Sequence, residues 1–161
     1  MGRKKVINIL ISAVFIIMLG FVLYNGISSN SEPLYAQEGS IKMKVKMSFN
    51  NNEVIINMYD NPASKQVIAL LPAEFQFSDF AGEEKITDFP KPLNLDDVPR
   101  GMVAKAGKMF IYATWGNMGI FYKDHGHTVD KSLIPLGEVE SGLEYLKSQK
   151  TDFKAKLEIL E

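Results

Sequence analysis

The chain has 161 residues, with 18 basic and 19 acidic side chains, a formal net charge of −1 and no cysteine. Disulfides, thiolate metal sites, a cysteine nucleophile and a lipid-modified cysteine anchor are therefore excluded, so a folded domain must be held by its core alone. With Arg3, Lys4, Lys5 and Glu32 set aside, 15 basic residues face 18 acidic ones, a balance that argues against nucleic acid as a partner.

Residues 1–5 carry three positive charges and residues 6–24 are almost unbroken apolar, interrupted only by Asn8 and Ser12. Nineteen residues at about 1.5 Å rise give a helix roughly 28 Å long, against roughly 30 Å of bilayer hydrocarbon. No Lys or Arg occurs in residues 25–39, so the positive-inside rule places the N-terminus in the cytoplasm and the bulk of the chain outside it. The length favours a retained single-pass anchor over a cleaved signal peptide, whose apolar region is usually about 7–15 residues. Cleavage after Ser28 or Ala36 is the alternative, and would release the domain.

Residues 25–39, rich in Ser, Asn, Gly and Pro, suit a flexible tether. Residues 40–161 are near the commonest size of a single domain. Ile41, Met43, Val45, Met47 and Phe49 alternate with Ser40, Lys42, Lys44, Lys46 and Ser48, the period of a strand with one buried and one wet face. Asn50, Asn51 and Asn52 tolerate left-handed backbone and turn the chain into a second strand over residues 53–59.

Asn61 followed by Pro62 predicts a helix start, with Ala63, Val67, Leu70 and Leu71 on its apolar stripe and Pro72 at its end. Phe75 and Phe77 alternate with Glu74, Gln76 and Ser78 in a third strand, which Ala81 and Gly82 break. Pro90, Pro92, Pro99 and Gly101 mark a long surface loop of the kind that often rims a binding site. Met109, Ile111 and Ala113 alternate with Lys108, Phe110, Tyr112 and Thr114, and a tight turn at residues 115–117 leads to another strand over residues 118–123. Ser141 to Glu144 fits a capping box before a short helix through Gln149. Phe153, Ala155, Leu157 and Ile159 then form a last strand whose pattern matches the first, so that the two could pair and close a barrel.

The strings INMYDNPASKQVIALLP and LIPLGEVESGLEYLKS resemble cyclophilins, and SDFAGEEK with YATWGNMGIFYKD resembles a bacterial branch of cyclophilin-like domains of unestablished function. The resemblance covers residues 40–161. It implies a mostly β fold, a closed eight-stranded antiparallel barrel with two short helices. Prolyl isomerisation in the family relies on an arginine within a Phe-His-Arg motif, and the corresponding FQFSDFAGEEK has neither histidine nor arginine. No catalytic residue is carried across, and Arg100 is the only arginine of the domain.

The candidate pocket comprises Asp79, Phe80, Glu84, Trp115, Asn117 and Tyr122. Asp79, Glu83 and Glu84 beside Lys85 could divide acid and base work, or form a solvated loop. Trp115, Asn117, Phe121 and Tyr122 could floor a groove, or fill the core. His125 and His127 near Asp124 and Asp130 are weak metal candidates without a third histidine. No Gly-rich turn between strand and helix offers a dinucleotide site, so no cofactor is expected. The reading is a membrane-tethered, extracytoplasmic module for a small molecule, peptide or envelope partner. The alternatives are an exported isomerase-like or other enzyme, and an accessory to a flavodoxin-like redox system.

Overall fold

The computed structural model describes residues 41–160, and the expected membrane segment and tether at residues 6–39 lie outside them. Ten strands occur in the order β1 (Ile41–Phe49), β2 (Asn52–Tyr59), β3 (Ala73–Phe80), β4 (Glu84–Thr87), β5 (Met102–Val103), β6 (Lys108–Tyr112), β7 (Asn117–Phe121), β8 (Val129–Asp130), β9 (Leu133–Ser141) and β10 (Phe153–Leu160). Helix α1 (Pro62–Ile68) follows β2 and helix α2 (Leu143–Ser148) follows β9. Eight strands close an antiparallel barrel in the order β1-β10-β3-β4-β7-β6-β9-β2, while β5 and β8 form a separate ribbon. Among the described residues no helix is long and apolar enough to cross a membrane.

The closure follows from matched alternation. Val45, Met47 and Phe49 of β1 and Phe153, Ala155 and Leu157 of β10 all point inward, and the strands pair antiparallel with Val45 opposite Ile159 and Met47 opposite Leu157. Phe153 lies 4.6 Å from the ring of Phe49 and stacks at 5.6 Å on Phe77. On the wet face Lys46 reaches Glu158 at 3.1 Å and Lys44 reaches Glu140 at 2.6 Å. These surface pairs add little stability, but they balance the lysines on the outer face of β1, which barrel closure leaves without a free edge.

The β1–β2 turn is made as the asparagines require, with Asn50 and Asn51 both at positive φ. Asn61 caps α1 by accepting from the Ser64 amide at 2.8 Å, and its own amide group donates to the Pro135 carbonyl. Ala63 and Val67 are buried in the barrel core, and Ser64 ties the helix to β9 by donating to the Leu136 carbonyl. The loop over residues 88–101 packs Phe89, Leu93, Leu95 and Val98 against the same core, and Gln66 of α1 both donates to and accepts from the Asn94 backbone. It covers α1 and contributes no residue to the cleft described below, which corrects the expectation that it rims the site.

Two further local expectations change. The capping box at Ser141 does not form: Ser141 is still paired in β9 opposite Ile55, and α2 begins from Gly142 at φ 85° with no side-chain cap. The segment after Phe80 is not an extended loop but a turn into β4, whose inward positions are Lys85 and Thr87.

Candidate functional site

The cleft lies on the outer face of the barrel, where the outward positions of β4, β6 and β7 meet. Alternation puts Glu84 and Ile86, Phe110 and Tyr112, and Asn117 and Phe121 on this face, since their neighbours Lys85, Met109, Ile111, Met118 and Ile120 are interior. Register brings them together, with Tyr112 opposite Asn117, Phe110 opposite Gly119 and Glu84 opposite Phe121. Gly119 supplies no side chain, and the Phe110 ring occupies that space, stacking on Phe121 at 4.4 Å. These two rings floor a cleft of about 320 Å³, at the small end of ligand sites.

The rim is aromatic as well. Trp115, in the β6–β7 turn, is 64% exposed and makes edge-on contacts with Tyr112 at 5.1 Å and Phe80 at 6.0 Å. Phe80 is itself 41% exposed. His125 lies flat against Phe121 at 6.0 Å and bonds Glu83 through Nδ1. Asp130 and Ser132 complete the wall, with Asp130 Oδ1 accepting from the Ser132 amide and hydroxyl.

Two polar residues of the cleft lining, Asn117 and Glu84, are set apart by their surroundings. Asn117 is only 6% exposed, and its Oδ1 has no hydrogen-bond partner among the described residues. A buried unpaired acceptor carries a cost that native structures normally avoid. Burial pushes the Glu84 carboxyl up to about 7, with His125 opposing and Glu83 adding to the rise. The Glu83 bond raises the His125 imidazole above its usual value, against a smaller opposing effect of burial.

Of the six residues expected to share one pocket, Phe80, Glu84, Trp115 and Asn117 do so. Asp79 and Tyr122 belong instead to a cluster around Lys85, which is 1% exposed. Its Nζ donates to Asp79 at 2.5 Å and to the Gln149 carbonyl at 2.8 Å, and sits 4.9 Å from the Tyr122 ring centre. The Tyr122 hydroxyl donates to the same carboxylate at 2.6 Å. Partial burial pushes the Asp79 carboxyl up, but the bonds from Lys85, Tyr122 and the Gly82 amide outweigh it and hold it below the usual value. The Tyr122 phenol is pushed up to about 12, by burial first and then by Asp79. With Lys123 and Lys147, Asp79 and Tyr122 line a separate surface hollow.

The two histidines part company. His125 bonds Glu83 and His127 Nδ1 meets Lys105 Nζ at 3.0 Å. Among the described residues no three His, Asp or Glu side chains are grouped to hold a metal ion. The floor residue Phe110, and Ile86, Ser132 and Leu133, were not singled out in the sequence, where only the outward phase of their strands marks them.

The family model described as cyclophilin-like matches residues 47–158. The chain belongs to the cyclophilin-like family. The solution structure of the hypothetical protein AF2241 from Archaeoglobus fulgidus is similar to this cyclophilin-like domain with a TM-score of 0.61 at 14% identity, covering 78% of this chain and 99% of that one. At that identity the likeness speaks for the fold alone. Among curated proteins none matches this chain. In the cleft described above no lysine or arginine is a lining residue, and Arg100 donates to the Leu95 carbonyl in the long loop.

Proposed function

We propose that this chain is a membrane-tethered, extracytoplasmic cyclophilin-like module that binds a small ligand in the Phe110–Phe121 cleft. The apolar residues 6–24 and the charges before them motivate the location. The observation that carries the binding reading is the open aromatic cleft lined by Asn117, whose Oδ1 is buried and unpaired, because rotation of that amide toward a ligand donor would relieve its desolvation cost. Small aromatic fragments, screened by ligand-observed NMR against the full chain in maltoside detergent, are expected to bind and to lose affinity in Trp115→Ala and Asn117→Ala. A screen without binders, or binders indifferent to both variants, would overturn the reading. Mass measurement of the native N-terminus tests the anchor: a start near residue 29 or 37 would show a secreted domain.

A second reading, an exported enzyme, rests on Glu84, whose carboxyl near 7 suits general acid or base work. Turnover of proline-containing peptides by the full chain, abolished in Glu84→Gln, would establish it in place of the binding role.

A further inference from the structure

We infer that the cleft selects an organic monocation, a primary or secondary ammonium group carried on a flat apolar body. The inference rests on the binding role proposed above and names the chemistry of the ligand. Its first support is the sign of the polar groups. Glu84 and Asp130 line the cleft and Glu83 stands behind His125, whereas His125 is the only cationic group among the lining residues. Once Glu84 is ionised, the two lining carboxylates and Glu83 behind His125 outnumber the one imidazole, and no lysine or arginine lines the cleft to accept an anion.

The second support is independent of charge. Asn117 Oδ1 is an acceptor without a donor, held on the strand position opposite Tyr112. An N–H of the ligand would satisfy it, whereas a carboxylate or ether oxygen would not. The third is the rim. Trp115, Tyr112 and Phe80 meet edge to face, leaving most of the Trp115 surface open, and indole and phenol faces attract cations. The floor of Phe110 and Phe121 then accommodates the apolar body.

The charged groups that face Glu84 are His125 and Glu83. Raising the pH from 6 to 8 ionises Glu84 and makes the cleft more negative, while the bond to Glu83 lets His125 hold its proton to higher pH than a free imidazole, with Glu84 and Asp130 also facing it. An ammonium ligand that keeps its proton over this range therefore binds more tightly at pH 8.

Trp115 is the only tryptophan of the chain, so its fluorescence reports the cleft directly. The full chain in maltoside detergent is titrated with 2-phenylethylammonium, 2-phenylethanol and phenylacetate at pH 6 and pH 8. The ammonium is expected to bind about ten-fold more tightly than the alcohol at pH 8, with phenylacetate weakest. Glu84→Gln is expected to bring the ammonium to the level of the alcohol and to remove most of its pH dependence, with Asp130→Asn giving a smaller loss. Alcohol or phenylacetate binding as tightly as the ammonium in the unaltered protein would overturn the cation inference while leaving a binding cleft. No response to any of the three probes would overturn it too, and the fragment screen then decides separately whether the cleft binds anything.

Discussion

Phe110 lies across Gly119. The two are register partners in β6 and β7, and the phenyl ring fills the volume that a β-carbon at position 119 would need. The cleft floor thus depends on a missing side chain in the neighbouring strand. Gly119→Ala keeps an ordinary strand backbone but drives the ring outward or off its rotamer. Overpacking of this kind costs about 1–3 kcal/mol. Urea unfolding should show that loss, and fragment binding should weaken with it; a variant as stable as the parent with unchanged binding would mean that Phe110 has another place to go.

Lys85 is expected to be the costliest polar residue to truncate. It joins β3, the residue following β7 and the end of α2 through Asp79, Tyr122 and Gln149. Lys85→Ala leaves a cavity and strips Asp79 and the Gln149 carbonyl of a donor, a loss of about 3–5 kcal/mol. Lys85→Met keeps the apolar stem and should cost less, and Lys85→Met with Asp79→Asn should recover part of it. Urea midpoints of the three variants check this order.

Acid and base limbs of the stability profile have separate origins. Asp79 is depressed when folded, so its contribution is present above the unfolded value near 3.8 and is lost as the pH falls through the lower folded value. Glu84 is raised to about 7, so between its unfolded value near 4.5 and 7 the folded protein holds the extra proton, and stability falls as pH rises through that window. Glu84→Gln should flatten the fall. Discounted for solvent access, the loss in the unaltered protein from pH 5 to pH 8 is about 1–2 kcal/mol, measured as the difference in unfolding free energy between the two pH values.

The start of α2 gives a paired test. Gly142 has φ 85°, and a β-carbon there would overlap the Glu53 carbonyl oxygen of β2. Gly142→Ala is expected to lose about 2 kcal/mol or more, from both the left-handed backbone and the overlap. Ser141→Ala, at a residue that makes no cap, should stay within about 0.5 kcal/mol. Thermal melts of the two variants side by side would reverse in order if the capping box operated in solution.

Much of the barrel was legible because strands write their burial at period two. Val45, Met47 and Phe49, and again Phe153, Ala155 and Leu157, reveal which face is interior before any partner is known. Local chemistry was equally direct for Asn50, Asn51 and the Asn61 cap, whose roles require only the residues beside them. Ser141 misled because its capping signal competes with strand pairing to Ile55, a partner 86 positions away in sequence that a local motif does not contain. The same holds for Lys85, a residue type seldom interior, whose burial is met by the Gln149 carbonyl 64 positions away and by Tyr122.

What the sequence by itself determined is therefore strands β1, β2, β3, β6, β7 and β10, the inward faces of those that alternate, the Asn61 cap and the family, whereas β4, β5, β8 and β9 emerge only in the fold. The tertiary structure alone decided that Trp115 stands on a rim rather than in the core, that Asp79 and Tyr122 serve a buried lysine, and that Glu84 and Asn117 share a cleft. The physical reason is that inward residues answer to a hydrophobic effect that is uniform and non-directional. Outward residues become a site only through barrel closure, which sets β4 and β6 on either side of β7 and so fixes their charges, rings and unpaired atoms at particular distances.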